Sequence, residues 1–132
     1  MAQSNEDLVR QGYAAFAAGD METLGSMMAD DVVHDVPGNN QFTGEHKGRD
    51  ELINLYGGLF DVSGGTYHAA LESVEARGPD QVVSVHRGTA QREGKTLDTK
   101  ETLTFTIEDG KITRIVSSFT PEDEAAEDSF WG

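Results

Sequence analysis

The stretch AAGDMETLGSMMADDVVHDVP, residues 17–37, contains the end of one helix, a second short helix and a strand. Gly19 can adopt the left-handed conformation that ends many helices, and Asp20 is a favoured residue for capping the next helix. Apolar residues then recur at helical spacing up to Met28. In DVVHDVP, side chains alternate between two faces as in a strand, which Pro37 ends. The stretch therefore predicts the order helix, short helix, strand.

On the amino-terminal side, Ser4 and Asp7 resemble a capping box. From Leu8 onward, apolar residues at three- and four-residue spacing predict a helix of about four turns. On the carboxyl-terminal side, the Gly/Asn-rich segment 38–48 reads as a loop. It precedes a third periodic helix with an acidic first turn, a charge that suits the helix dipole. Three helices are thus expected in the first half of the chain.

The second half predicts a sheet. Four β-rich runs are separated by turn signals, which is typical of an antiparallel meander. The runs are TYHAALESVEA (66–76), VVSVHRGTAQR (82–92), TLDTKETLTFTI (96–107) and ITRIVSSF (112–119). The acidic tail, about 120–132, carries five acids before Phe130 and Trp131. We expect most of this tail to be solvated, with the two aromatic residues able to dock on the protein.

Composition favours one domain over residues 1–132, since roughly 100–150 residues is a usual domain size. No apolar stretch approaches the roughly 20 residues of a membrane helix. The net charge of −14 repels phosphate backbones and anionic lipids, so neither nucleic acid nor a membrane is an expected partner. Cysteine is absent and no signal-peptide pattern is seen, which makes the cytoplasm the default location. The acidity would also suit a halophilic host.

Residues 17–33, FTGEHKGRDEL (42–52), HRGTAQREGKTL (86–97) and DGKITRI (109–115) resemble the nuclear transport factor 2-like superfamily, in its SnoaL-like and ketosteroid isomerase-like branch. The resemblance runs from about residue 4 to 119. It implies a cone-shaped α+β fold in which three N-terminal helices pack on a curved, mostly antiparallel sheet. The fold hosts isomerases, cyclases, hydrolases, dehydratases and binding proteins, so it does not by itself name a reaction.

Ketosteroid isomerases use an Asp general base, a Tyr and a protonated Asp. Aligned on the shared motifs, these positions fall on Val36, Gly12 and Thr102, with Tyr13 next to Gly12. None of the three carries the required residue, so the chain is not expected to be a true ketosteroid isomerase. The acid that polyketide cyclases carry near the end of the last strand also has no match in IVSSFTP.

If Val36 points into the cone, the two-residue period of a strand points His34 inward and Asp35 outward, so these two cannot form a dyad. The same reasoning points His86 inward. The expected lining is His34, His86, Tyr13, Phe16, Val36, Phe60, Thr102 and Phe119. An imidazole needs little tuning to act as acid or base near neutral pH, which makes His34 and His86 the catalytic candidates. Alternatively, both are core histidines whose rings are satisfied by neighbours. Asp98 and Glu101 lie on opposite faces of their strand, so one of them could reach the cone mouth, but we expect both to be exposed edge charges.

Metal and cofactor binding have little support. The four histidines are scattered, no HExxH or P-loop pattern is present, and cysteine is absent. Apolar residues on both faces of the last strand suggest that a second copy covers the outer face, so a homodimer is expected.

Two functions follow. The first is a cofactor-free isomerase, cyclase or hydrolase that acts on a small apolar ring compound, such as a polyketide-, terpenoid- or steroid-like one, through histidine-mediated proton transfer. The second is a non-catalytic binding or dimerisation module of the same fold, which a cavity well below a few hundred Å3 would favour. A further possibility is that Phe130 and Trp131 cover the cone as a lid.

Overall fold

The computed structural model describes residues 4–132. Its helices and strands confirm the predicted α+β class, with three helices before a long meander. The elements are α1 Asn5–Ala17, α2 Met21–Ser26, β1 Met28–Val36, β2 Gly44–Lys47, α3 Arg49–Val62, β3 His68–Ala76, β4 Gln81–Arg92, β5 Lys95–Glu108, β6 Lys111–Ser118 and α4 Pro121–Trp131. The domain was predicted from residue 1, and its first three residues lie outside the described part.

One six-stranded sheet has the order β2-β1-β6-β5-β4-β3. The last four strands form the predicted antiparallel meander, and β1 pairs parallel with β6. The prediction of an uninterrupted loop over 38–48 is wrong, because residues 44–47 pair antiparallel with the end of β1 as strand β2. The Gly/Asn-rich composition signals the turn correctly but conceals this short edge strand.

Side-chain caps begin the helices where the sequence predicts them. The Ser4 hydroxyl accepts a hydrogen bond from the Asp7 N–H at 3.1 Å, and Asp20 accepts one from the Thr23 N–H at 3.1 Å. Each cap satisfies an amide that the first turn would otherwise leave without a partner.

As expected, most of residues 120–132 are exposed or only partly buried and the two aromatic residues dock, but residues 121–131 also form a helix, α4, that was not predicted from the sequence. Thr120 caps it, Pro121 occupies its first turn, and Phe130 and Trp131 are buried at 2% and 4% exposure. Asp128 ties the helix to the 38–43 turn by accepting hydrogen bonds from the Asn39 N–H at 2.7 Å and the Asn40 amide at 2.9 Å. The Thr-Pro pair followed by acids was the missed helix-start signal.

The concave face of the sheet packs against the helices and carries the apolar core. A second cluster joins Phe130 and Trp131 to Tyr67, Ala90 and Leu97. Within residues 4–132, no helix is long and apolar enough to cross a membrane.

Candidate functional site

A cavity of about 130 Å3 lies between the concave face of the sheet and helices α1, α3 and α4. Its walls are mainly apolar and aromatic, with Phe16, Phe42, Leu59, Leu103 and Trp131 among them. A small number of polar side chains also face it. These are His34, Tyr56, Ser117, Tyr13, His86, Glu101, Asn40, Tyr67 and Glu127.

Most of the lining residues expected from the sequence face this cavity. They are His34, His86, Tyr13, Phe16, Val36 and Phe119. Phe60 and Thr102 do not line it, and their prediction as lining residues is wrong. Phe60 lies behind the wall, with its ring centroid 5.0 Å from that of Phe16. Thr102 lies on the opposite face of β5 from Leu103, which does line the cavity, because neighbouring strand residues point to opposite faces.

The alternation along β1 is as predicted. His34 is 6% exposed and faces the cavity, whereas Asp35 forms an ion pair with Arg114 on the other face. The two side chains therefore cannot act together as a dyad.

The first polar group in the cavity is the His34 cluster, consisting of His34, Tyr56 and Ser117. The Nδ1 atom of His34 lies 2.8 Å from the Tyr56 hydroxyl, and Nε2 lies 2.8 Å from the Ser117 hydroxyl. Burial lowers the pKa of His34 to about 4, although the nearby Glu101 charge opposes this shift. The ring is therefore neutral at pH 7, and one nitrogen donates a hydrogen bond while the other accepts one.

The second polar group is the His86 cluster, consisting of His86, Tyr13, Ser84 and Glu101. The Tyr13 hydroxyl lies 2.6 Å from His86 Nδ1 and 2.7 Å from the Ser84 hydroxyl. On the other side of the ring, His86 Nε2 lies 3.2 Å from Glu101 Oε1. The geometry of this contact is not that of a good hydrogen bond, and within residues 4–132 the buried Nε2 atom has no other partner.

Charges and hydroxyls set the protonation of the His86 cluster. Burial would raise the pKa of the Glu101 carboxyl, but contact with His86, the Ser117 hydroxyl and the His34 ring together lower it below its ordinary value. Glu101 is therefore ionised at neutral pH. Burial raises the pKa of Tyr13 well above its ordinary value; Ser84 opposes this shift and the Glu101 charge adds to it. The Tyr13 hydroxyl accordingly keeps its proton.

Helix α4 contributes a second carboxyl group, Glu127. The Thr99 hydroxyl donates to its Oε1 atom at 3.2 Å, and the indole N–H of Trp131 donates to Oε2 at 2.7 Å. Burial, followed by repulsion from Glu101, raises the pKa of Glu127 to about 7. At neutral pH this carboxyl is therefore close to half protonated.

Neither carboxyl group was among the site residues expected from the sequence. Glu101 is not an exposed edge charge, since its side chain is only 14% exposed. Glu101 lies on the same face of β5 as Leu103 and Phe105, because every second residue of a strand points to the same side. The two-residue period of the strand therefore indicates that Glu101 faces the core. Glu127 lies four residues before Trp131, a spacing that places both on one helix face, but this signal requires α4 to be recognised first.

Within residues 4–132, no group of three His, Cys, Asp or Glu side chains lies close enough together to hold a metal ion.

Comparison with known proteins identifies the family and its fold. An uncharacterised protein of Mycobacterium tuberculosis is 38% identical over 125 residues, which is 95% of this chain and 94% of the relative. The solved structure of Bal32a from a soil-derived mobile gene cassette is 35% identical with a TM-score of 0.92, covering 96% of this chain and 95% of Bal32a.

An NTF2-like protein of unknown function from Burkholderia pseudomallei shares the fold, with a TM-score of 0.83 at 19% identity and 98% coverage of each chain. This confirms the predicted nuclear transport factor 2-like fold. The SnoaL-like domain matches residues 9–115. The chain therefore belongs to the SnoaL-like domain family.

Proposed function

We propose that the cavity binds a small, mostly apolar molecule and that the Glu101–His86 pair moves protons on it. One observation carries this proposal: a carboxylate and an imidazole lie 3.2 Å apart inside a cavity whose walls are mainly apolar. Paired groups of this kind are what general acid–base catalysis needs. The reaction class is that of a cofactor-independent isomerase, cyclase or hydrolase.

Each member of the His86 cluster has a distinct role in the proposal. Ionised Glu101 accepts a proton from the ligand, can pass it to an unprotonated ring nitrogen of His86, and takes it back to return it, or a deuteron from solvent, to the ligand. The Tyr13 hydroxyl contacts His86 Nδ1 and fixes the orientation of the ring, so that Nε2 faces Glu101. Nε2 is buried and its nearest charged neighbour is Glu101, so the ring exchanges a proton with that carboxylate and reaches the ligand through it. General acid–base catalysis of this kind contributes about 10²–10⁴-fold in rate.

The two histidine candidates therefore separate. Both ring nitrogens of His34 already have hydroxyl partners, and its ring is neutral at pH 7. We assign His34 a positioning role, holding Ser117 and Tyr56 against the cavity, and keep His86 as the acid–base residue.

One protein of the same fold has been crystallised with a small molecule. TerC, with a TM-score of 0.76 and 24% identity, covering 86% of this chain and 89% of TerC, was co-crystallised with polyporic acid. At this identity the likeness shows the fold alone. Apolar walls with a few convergent polar groups are also the usual composition of a small-molecule site.

Solvent deuterium incorporation tests the catalytic proposal without a known substrate. Small cyclic ketones and lactones are incubated with the protein in D2O, and loss of the α-proton signal is followed by NMR. We expect exchange by the unmodified protein and at least about a 100-fold slower rate for Glu101→Gln. Glu108→Gln, on an exposed residue of the same strand, is the matched control. An unchanged rate in a folded Glu101→Gln variant would contradict the assignment.

One observation favours the non-catalytic alternative. The cavity volume, about 130 Å3, is below the roughly 300–1,000 Å3 of most ligand pockets. A binding or dimerisation module would bind small molecules, or none, and would exchange no proton from any ketone or lactone in the panel.

We also propose a homodimer formed through the outer face of the sheet. Val83, Val85 and Val116 lie on this face and are only partly buried in the single chain. Light scattering coupled to size exclusion would give twice the chain mass, and Val85→Lys would shift the protein toward the monomer. A monomeric unmodified protein at high concentration would contradict this proposal.

A further inference from the structure

The charges that face the cavity restrict the class of molecule that it can hold. Among the described lining residues there is no Lys or Arg, whereas two carboxyl groups, Glu101 and Glu127, face inward. We infer that the ligand is uncharged, about one ring in size, and carries a hydrogen-bond donor directed at Glu101. This inference deepens the proposed function and rests on it, since it takes the same cavity as the site.

An anionic ligand has no counter-charge available. His86 is already held against Glu101, and His34 is fully engaged by two hydroxyl groups. A carboxylate or phosphate would lose its water on entering and would then face Glu101 and Glu127. Burying an unpaired charge in an apolar environment is strongly unfavourable, and like charges add to the cost.

A cationic ligand meets a related obstacle. The charge of Glu101 is already stabilised by His86, whose Nε2 atom lies 3.2 Å from Oε1, and by the Ser117 hydroxyl. Both oxygens of Glu127 accept hydrogen bonds, from Thr99 and Trp131. An ammonium group would therefore lose its hydration without gaining a free carboxylate in return.

The size of the cavity favours one ring. Its volume of about 130 Å3 is close to that of an engineered apolar cavity of about 150 Å3 that binds benzene. The fused ring systems suggested by the sequence are larger than this space. Aromatic walls, among them Phe16 and Trp131, suit the faces and edges of a ring.

The position of Glu101 indicates where the ligand carries its hydrogen-bond donor. Its side chain is partly buried, with 14% of its surface accessible, and it lines the cavity. An ionised carboxylate has about four acceptor sites, more than its protein contacts occupy. A ligand hydroxyl group would fill one of them with a charge-assisted hydrogen bond.

Four probes of matched shape test the inference. They are cyclohexylmethanol, methylcyclohexane, cyclohexanecarboxylate and cyclohexylmethylamine. Trp131, the single tryptophan of the chain, lines the cavity, and none of the probes absorbs where it does, so its fluorescence reports binding. We expect the alcohol to bind about tenfold tighter than the hydrocarbon, as a hydrogen bond to a charged group would give. The carboxylate and the amine should bind more weakly than the hydrocarbon.

Variants distinguish the donor contact from a general solvent effect. In Glu101→Gln the advantage of the alcohol over the hydrocarbon should shrink several-fold and the carboxylate should bind tighter, whereas Glu108→Gln should leave all four affinities unchanged. Circular dichroism and thermal melting check that each variant folds.

Several results would overturn the inference: tighter binding of the carboxylate or the amine than of the alcohol, equal binding of alcohol and hydrocarbon, or binding of no probe. The deuterium-exchange experiment tests the catalytic proposal independently of the ligand class. Binding of the alcohol with no deuterium exchange would reject the catalytic proposal and support the inferred ligand class. Deuterium exchange on ketones without binding of the alcohol would support the catalytic proposal and reject the ligand class.

Discussion

The cavity contains two buried histidines on one sheet face, and their surroundings differ in one respect. The His34 cluster surrounds its ring with two hydroxyl groups at hydrogen-bond distance, so every polar atom of the ring has a neutral partner. The His86 cluster places its ring between a tyrosine hydroxyl and a carboxylate, and leaves one ring nitrogen without a good hydrogen bond. Buried polar groups are normally paired, so an unpaired one requires an explanation.

The difference shows that the partner of a histidine, more than its burial, decides what the ring can do. A ring held by two hydroxyl groups is stable and neutral, which suits a structural element. A ring beside a carboxylate can exchange a proton with it and, through it, with a ligand. The following predictions test this contrast, starting with the largest expected effect.

Removing His86 should destabilise the protein more than removing His34. His86→Ala leaves the Glu101 charge buried without its partner, and breaking a buried pair in this way costs about 3–5 kcal/mol. His34→Ala leaves two hydroxyl groups and a small void, at about 2–3 kcal/mol. Urea unfolding measures both values. Adding Glu101→Leu to His86→Ala should restore most of the loss, and a double variant no more stable than His86→Ala would argue against the pair.

Glu127 should make the protein less stable at alkaline pH. Its pKa is raised from 4.5 to about 7, so the folded state holds the proton more tightly than the unfolded state. The stabilisation is complete below pH 4.5 and is lost as pH rises through about 7, amounting to about 2–3 kcal/mol between pH 5 and pH 8.

The Glu127→Gln variant should lose this pH dependence. Glu101 and Asp123 also act on Glu127, so the informative quantity is the difference between the two proteins at each pH. Parallel stability curves for the unmodified protein and the variant would show that Glu127 does not titrate in this range.

His34 should have the opposite effect on the acid side. Its pKa falls from 6.5 to about 4, so the unfolded state binds the proton more tightly. The stabilisation is complete above pH 6.5 and is lost as pH falls through about 4, again by about 3 kcal/mol. In His34→Gln, urea unfolding between pH 7 and pH 4 should show a smaller loss than in the unmodified protein. An equal loss would show that the acid sensitivity lies elsewhere.

Ser117 should give the smallest effect, because it contacts both clusters without carrying charge. Ser117→Ala removes the hydroxyl partner of His34 Nε2, which costs about 1 kcal/mol. It also removes one of the contacts that lower the pKa of Glu101. The acid limb of the deuterium-exchange profile should therefore move to higher pH. An unmoved limb with reduced stability would confine Ser117 to a structural role.

The fold was predictable because its signals are local. Caps at Ser4 and Asp20 and the alternation along four strands recur in the structure as hydrogen-bonded elements. Helix α4 was missed because its acidic composition resembles a solvated tail, although Thr120 and Pro121 form a helix start.

The site was predictable only in part. His34, His86 and Tyr13 were placed by strand period or by neighbouring motifs, and all three line the cavity. Thr102 was wrongly expected to line the cavity, because it lies on the face of β5 opposite Leu103 and neighbouring strand residues point to opposite faces. The alternation of β5 itself pointed to Glu101. The contact between Glu127 and Thr99 of β5 depends on how α4 docks on the sheet, which no local pattern records.

The parallel pairing of β1 with β6 also governs when the protein can finish folding. Strand β1 lies early in the chain, yet its neighbour toward the centre of the sheet is the last strand, β6. The hydrogen bond between His34 and Ser117 joins residues 83 positions apart. Contacts of such long range form slowly, because the chain entropy of closing the loop is lost first. The meander of β3 to β6 can assemble from neighbouring hairpins, whereas the cavity exists only after β1 has inserted beside β6. Refolding should therefore show sheet formation before the fluorescence of Trp131 reaches its native value.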